Sequence, residues 1–175
     1  MAQVYTAYSV PQVGAEGQAR LKSAHVLVIG CGGLGSPVSL YLAAAGVGHI
    51  TLVDGDTVDV TNLQRQILFG TGQVGANKAE CGKQRLQELN PEINVSVVTE
   101  YLTPDNTEHI ESLIHSSDLV IDCTDNFTVR YLINDLCVKN NKSWLFAAIH
   151  QFKGQCALFS PGDGCFRCLF PETSP

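Results

Sequence analysis

Val26-Leu27-Val28-Ile29-Gly30-Cys31-Gly32-Gly33-Leu34-Gly35 is the stretch on which the fold turns. Its first four residues form an unbroken apolar run, too short for a helix and halted by glycine. That is how a strand buried on both faces of a parallel sheet reads. The next six carry G-x-G-x-x-G between that strand and a helix. The glycines allow a tight turn and a close approach of backbone to a ligand, and the helix N-terminus favours negative charge. Ser36-Pro37 opens the helix, with Ser36 expected as its N-cap and Pro37 at the first helical position, where a missing N–H costs nothing. Gly46 ends it, and His49 to Val53 is the next strand. Asp54 follows, 19 residues after Gly35, where a ribose-binding carboxylate belongs. These features point to a nucleotide and leave its identity open. An NAD-dependent oxidoreductase is the usual reading of such a fingerprint, and glycines serving only close helix–strand packing are the bland one.

The alternation continues outward. Residues around Glu16 to Leu21 form a short helix before the first strand. Lys78 to Leu89 reads as a helix ended by Asn90-Pro91, Ile93 to Val98 as a strand, Thr103-Pro104 to about His115 as a helix, and Leu119 to Ile121 as another buried strand. From Phe127, apolar positions at Val129, Leu132, Ile133, Leu136 and Cys137 make a helical stripe. Trp144 to Ile149 and Gln155 to Phe159 are strands joined by Gln151 to Gly154, a hairpin connection. The fold class expected is α/β: a Rossmann-like, mostly parallel sheet with helices on both faces and a C-terminal hairpin.

The 175 residues, 45% hydrophobic and 16% charged, suit a single domain over 1–175. Eleven Lys plus Arg against 17 Asp plus Glu give a formal charge of −6. Nucleic-acid and anionic-membrane partners, which need basic excess, are therefore not expected. No run approaches the ~18 apolar residues of a membrane span, and Met1 to Tyr5 shows neither a basic nor an apolar leader pattern, so a secretory signal is not expected. Seven cysteines, an odd number, suit a reducing compartment, so a cytoplasmic location is expected.

Further polar clusters follow the glycine loop: Asn62-Leu63-Gln64-Arg65-Gln66, Lys78, Asp122-Cys123-Thr124-Asp125-Asn126, Arg130 and Cys165-Phe166-Arg167-Cys168. In this order the chain resembles the ThiF/MoeB/HesA family of bacterial adenylyltransferases, related to the ubiquitin-activating enzymes, from about Gly14 to Glu172. The resemblance implies ATP-dependent adenylation of the C-terminal Gly-Gly carboxylate of a ubiquitin-like sulfur carrier protein of the ThiS or MoaD type, with release of pyrophosphate. It implies an ATP site made of Gly30, Gly32, Gly33, Gly35, Asp54, Asp56, Asn62, Arg65, Gln66, Lys78 and Asp122. Asp54 would hold the ribose, Asn62, Arg65 and Lys78 would line the phosphates, and Asp122 would hold Mg²⁺; Arg65, Lys78 and Asp122 carry the catalysis. Carboxylate and triphosphate are both anions, so cations and metal must offset their repulsion. The resemblance implies a product that feeds thiamine synthesis, molybdopterin synthesis or another sulfur pathway.

Each residue also has a plainer reading. Arg65 can be a surface cation, and Arg130 a structural cation paired with a nearby carboxylate. Asp122 can be a loop residue, with Asp125 or Asn126 capping the next helix. Lys78 at a helix start sits against the macrodipole, an oddity that a bound phosphate would resolve. Cys165-x-x-Cys168 has the spacing of half a tetrahedral zinc site, which the resemblance implies is structural; a redox dithiol is the alternative, without a thioredoxin-like context. Cys31, Cys81, Cys123, Cys137 and Cys156 read as small packed side chains.

Two departures from the family pattern stand out. The family's N-terminal arginine, which reaches the neighbouring protomer's phosphates in a homodimer, falls at Thr6. The family pattern continues past Ser174-Pro175 with the remaining zinc ligands, so the sequence is expected to be a fragment or a shortened relative. A catalytically weak or inactive relative that binds the carrier or a partner is therefore the alternative to the enzyme.

Overall fold

The computed structural model describes Pro11 and residues 13–171. The helices are α1 (Gly14–Ser23), α2 (Gly35–Ala45), α3 (Lys78–Leu89), α4 (Thr107–Ser116), α5 (Phe127–Lys139) and the single turn α6 (Phe166–Leu169). The strands are β1 (His25–Ile29), β2 (His49–Val53), β3 (Asn94–Val98), β4 (Leu119–Asp122), β5 (Trp144–His150) and β6 (Lys153–Phe159). One six-stranded sheet runs in the order β3-β2-β1-β4-β5-β6. Every pairing is parallel except β5 with β6. The expected Rossmann-like fold with a terminal hairpin is thus present.

Alternation along β1 divides the core into two layers. Val26 and Val28 pack with Ala43, Ala79 and Leu86 from α2 and α3. Leu27 and Ile29 pack on the opposite face with Ile110, Ile114, Ile133 and Leu136 from α4 and α5. Each such fully buried aliphatic side chain is worth about 1.5–3 kcal/mol. Both faces are covered, which is why the central strands read as continuous apolar runs.

Local details differ from the sequence reading in places. α2 begins at Gly35, so Ser36 lies inside the helix, fully buried, and is not its N-cap. Its hydroxyl donates to Cys31 O at 3.1 Å, fastening the helix to the loop before it. Asn126 does cap α5, its Oδ1 accepting from Thr128 N and Val129 N at 2.8 and 3.3 Å. Pro104–Asn106 is a 3-10 turn ahead of α4. Cys156 is exposed on β6, whereas Cys31, Cys81, Cys123 and Cys137 are buried as expected. At the C-terminal end, Phe166 N donates to Asn134 Oδ1 at 2.8 Å and Arg167 forks onto Asp135 at 2.8 and 2.7 Å, pinning α6 to α5. No helix among the described residues is long and apolar enough to cross a membrane.

At the N-terminal edge of the sheet, His25 and His49 stack with ring centroids 3.9 Å apart. Burial, and then the neighbouring His25, hold His49 below the ordinary value of 6.5. The folded chain therefore binds fewer protons than the unfolded chain once pH falls below about 6.5, and stability drains away there while remaining complete above it. We expect the thermal midpoint to fall between about pH 7 and pH 5, and His49→Gln to flatten that slope. An identical slope in the variant would contradict this origin.

Candidate functional site

The sheet order reverses between β1 and β4, so the connections leaving their C-terminal ends diverge and open a crevice, the usual ligand site of open α/β sheets. A cavity of about 540 Å³ lies there, within the size range of small-ligand pockets. Gly30, Gly32 and Gly33 form one wall, and the ends of β1 and β2 meet it at Ile29 and Val53. Gly30 has φ +94°, and a Cβ there would sit 2.9 Å from Cys123 O. A Cβ on Gly35 would sit 1.9 Å from Gly30 O. Only glycine lets the loop close this tightly and bring the N-terminus of α2 to the crevice.

Asp54, at the end of β2, lies on the wall and is locked in place. Its Oδ2 accepts from Cys31 N at 2.7 Å and its Oδ1 from Asp56 N at 2.9 Å. The carboxylate keeps further lone pairs for hydroxyl donors. Lys78, the first residue of α3, is buried, and its ammonium meets Asp56 Oδ2 at 2.6 Å. That lysine hydrogen bond holds the Asp56 carboxyl below its ordinary range. Asp56 so offsets the macrodipole's penalty on a cation at this end, and Nζ keeps two donors beyond the one given to Asp56.

Arg65 is exposed and reaches the cavity across the glycine loop; its Cγ and Cδ would lie 3.5 Å from a Cβ on Gly33. Gln66 is buried on the same wall, and its Oε1 has no protein hydrogen-bond partner. Asn62 is not on the wall. Its carbonyl accepts from Arg65 N and Gln66 N at 3.1 and 3.0 Å, so it shapes the turn that presents those two side chains.

Asp122 also departs from expectation. It belongs to β4, paired with Ile29 and Phe146, has no solvent exposure and does not line the cavity. Its Oδ1 accepts from Thr124 N at 2.8 Å, and its Oδ2 lies 3.4 Å from Arg130 Nε. Burial pushes its carboxyl above the ordinary value, against the hydrogen bonds of Thr124 and the Arg130 charge. Magnesium keeps several waters in its shell, which a carboxylate sealed from solvent beside a guanidinium cannot accommodate. The carboxylate of this cluster that does line the cavity is Asp125, exposed one residue beyond Thr124. Arg130, expected to pair with a carboxylate, does so with Asp122.

Two residues were missed outright. Asn77 caps α3 through Glu80 N at 3.1 Å while its Nδ2 donates to Asp54 O and Asp56 O, both at 3.2 Å. It joins the acid-bearing turn after β2 to the helix that carries Lys78, and an asparagine just before a helix start was the available signal. Tyr101 lies on the wall beside Glu100 and Leu102, where nothing in the sequence marked it. Cys123 also lines the cavity, and burial pushes its thiol up to about 12, so it is no nucleophile.

Cys165 and Cys168 stand apart from the cavity, with sulfurs 3.8 Å apart. Two thiolates on a tetrahedral zinc with bonds of ~2.3 Å span about that distance, so the pair fits half a zinc shell. Burial raises the Cys165 pKa, but hydrogen bonds from Cys168 and Arg167 outweigh it and bring the thiol below its ordinary value. Among the described residues no group of three or more His, Cys, Asp or Glu is gathered to hold a metal ion. Thr6 lies outside the described residues.

Comparison with known proteins places this geometry in context. The ThiF family pattern matches residues 5–175. The chain is 48% identical over 172 residues to a sulfur carrier protein adenylyltransferase of Thermus thermophilus, covering 95% of this chain and 62% of that one. It is 43% identical to the SAMP-activating enzyme E1 of Haloferax volcanii, over 92% of this chain and 58% of the relative. Among solved structures, Escherichia coli MccB crystallised with AMPCPP and MccA superposes with a TM-score of 0.80 at 34% identity, over 90% of this chain and 48% of that one. The chain thus spans about half to three-fifths of the length of these relatives.

If Lys78 is poised by Asp56 for an anionic ligand, ATP with Mg²⁺ should raise the thermal midpoint, and Lys78→Met should remove most of that rise. Asp56→Asn, which frees the ammonium, should leave the rise in place. A Lys78→Met variant that responds to ATP as fully as the unmodified chain would contradict the assignment.

Proposed function

Because the chain belongs to the ThiF family, we propose that it binds ATP in the crevice and adenylates the C-terminal carboxylate of a ubiquitin-like sulfur carrier. Family membership replaces the oxidoreductase reading of the glycine fingerprint. The observation that carries the proposal is the composition of the wall. Arg65 and Lys78 line the cavity with the glycine loop, and Asp54 lines it too, its carboxylate fixed by Cys31 N. Three cations, Arg65, Lys78 and Arg130, face four carboxylates, Asp54, Asp56, Glu100 and Asp125, across the cavity. A bare triphosphate would be repelled by that many acids, and one chelated by a divalent cation would not.

In the proposed reaction a carboxylate oxygen of the carrier attacks the α-phosphorus. The bond from that phosphorus to the bridging oxygen breaks, and pyrophosphate leaves with the electron pair. Arg65 grips phosphate oxygens with its planar fork and Lys78 acts as a point charge, both stabilising charge that builds in the transition state. Asp54 orients the ribose through its remaining lone pairs. Gln66 Oε1 offers an acceptor to a donor on the nucleotide. Asp125 would hold the magnesium, which supplies neutralisation of the phosphates when bound; the role passes to it from the buried Asp122.

The pair Cys165 and Cys168 would contribute two ligands to a structural zinc. A homodimer is part of the same reading, as is the carrier's Gly-Gly tail entering the crevice. The choice between thiamine and molybdopterin synthesis lies with the carrier.

Carrier-dependent exchange of labelled pyrophosphate into ATP tests the proposal. We expect exchange with at least one Gly-Gly-ended carrier, reduced by roughly 10²-fold or more in Arg65→Ala, the scale of losing one transition-state donor. ATP binding without any exchange, across a panel of such carriers, would leave a nucleotide-binding relative that does not catalyse.

A further inference from the structure

The adenylation reading counts Arg130 among the cavity's cations but leaves its buried pairing with Asp122 without a task. Asp122 and Arg130 form an ion pair with side chains 0% and 6% exposed; Arg130 reaches the cavity wall and Asp122 lies behind it. Removing two charges from water is costly, and a buried pair is weak evidence for stability by itself. Its surroundings show what it does. Asp122 Oδ1 accepts the amide hydrogen of Thr124 at 2.8 Å, and Arg130 Nη2 donates to the carbonyl of the same residue at 2.5 Å. The pair therefore grasps both polar groups of one residue, and the two grasping side chains are joined to each other at 3.4 Å. The guanidinium also lies over two aromatic rings, 5.1 Å from the centroid of Phe146 and 5.2 Å from that of Phe127. On the far side, Asn126 is tied into the first turn of α5. Asp125 is the residue left between these two anchors, and it lines the cavity.

We infer that Asp122 and Arg130 are positioning residues that clamp Thr124 and thereby fix the direction in which Asp125 presents its carboxylate to a metal-chelated triphosphate. This rests on the reading that the crevice binds ATP with a divalent cation at Asp125. Groups that orient a metal-binding side chain without touching the metal typically change metal affinity by roughly 10–100-fold when altered. A lysine at position 130 keeps a charge and loses both the fork and the ring stacking, so it restores only part of the function.

The test uses Mn²⁺ as a spectroscopic probe in place of Mg²⁺, with a non-hydrolysable ATP analogue bound. Its affinity is read by electron paramagnetic resonance on protein whose folded fraction is set by circular dichroism. Asp122→Asn keeps the side-chain shape and serves even where Arg130→Met fails to fold. We expect Asp122→Asn and Arg130→Met each to weaken Mn²⁺ retention about tenfold or more, and Arg130→Lys to lie between them and the unmodified protein. The double variant should lose no more than the worse single one, because the pair acts as a unit. Unchanged Mn²⁺ affinity in folded Asp122→Asn and Arg130→Lys overturns the clamp and leaves the pair a purely structural tie. Failure of the unmodified protein to retain Mn²⁺ with the analogue bound overturns the metal reading at Asp125, and the clamp with it. The two failures are therefore told apart by the unmodified protein alone.

Discussion

The contact between Gly30 and Gly35 is the constraint on which this molecule is built. A side chain at Gly35 would overlap the Gly30 carbonyl at 1.9 Å, so the chain can leave β1, turn and enter α2 only if neither position carries bulk. Because the turn is this tight, Cys31 N reaches the Asp54 carboxylate and Ser36 reaches back to Cys31 O. The end of β2 and the start of α2 are thereby registered to one another before any ligand arrives. A crevice whose walls are already placed loses little entropy when it binds, which is the physical advantage of such preorganisation.

Charge is managed on the same principle. Lys78 stands at the unfavourable end of a helix and is held there by Asp56. Arg130, on the cavity wall, is paired with Asp122 behind it, leaving Arg65 as the exposed cation of the three. The arrangement is near neutral overall, which suits a ligand that brings its own counterion. It also reconciles an acidic protein, at −6, with the phosphate-bearing substrate proposed for it: the cations are few and gathered in one place.

The sheet was legible because strands buried on both faces must be continuously apolar, and those runs are bounded by glycine, asparagine or proline. Asp54 and Lys78 were legible because each lies at the junction of a strand or helix with the crevice. The Asp122 to Asn126 run was not. It offers two carboxylates three residues apart, and which of them meets the cavity depends on where β4 stops. The strand continues through Asp122, whose pairing with Ile29 and Phe146 turns its side chain under α5, and only beyond that does the chain rise to the wall. The part that Asn62 plays in the turn was not legible either, since its backbone carbonyl, which no side-chain pattern marks, accepts from Arg65 N and Gln66 N. The connection between β2 and α3 carries no hydrophobic period at all. It is held by Val58 N to Ala76 O and Gly75 N to Val58 O, both at 2.8 Å, bonds that no side-chain pattern announces.

The central claim is that this crevice is built for a metal-chelated triphosphate rather than for a dinucleotide. Calorimetric titration of the protein with ATP and Mg²⁺, and separately with NAD, addresses it most directly. Saturable ATP binding that needs Mg²⁺, with NAD at least about tenfold weaker (a difference of roughly 1.4 kcal/mol), is the expected result. Tighter binding of NAD, or ATP binding indifferent to the metal, would contradict it.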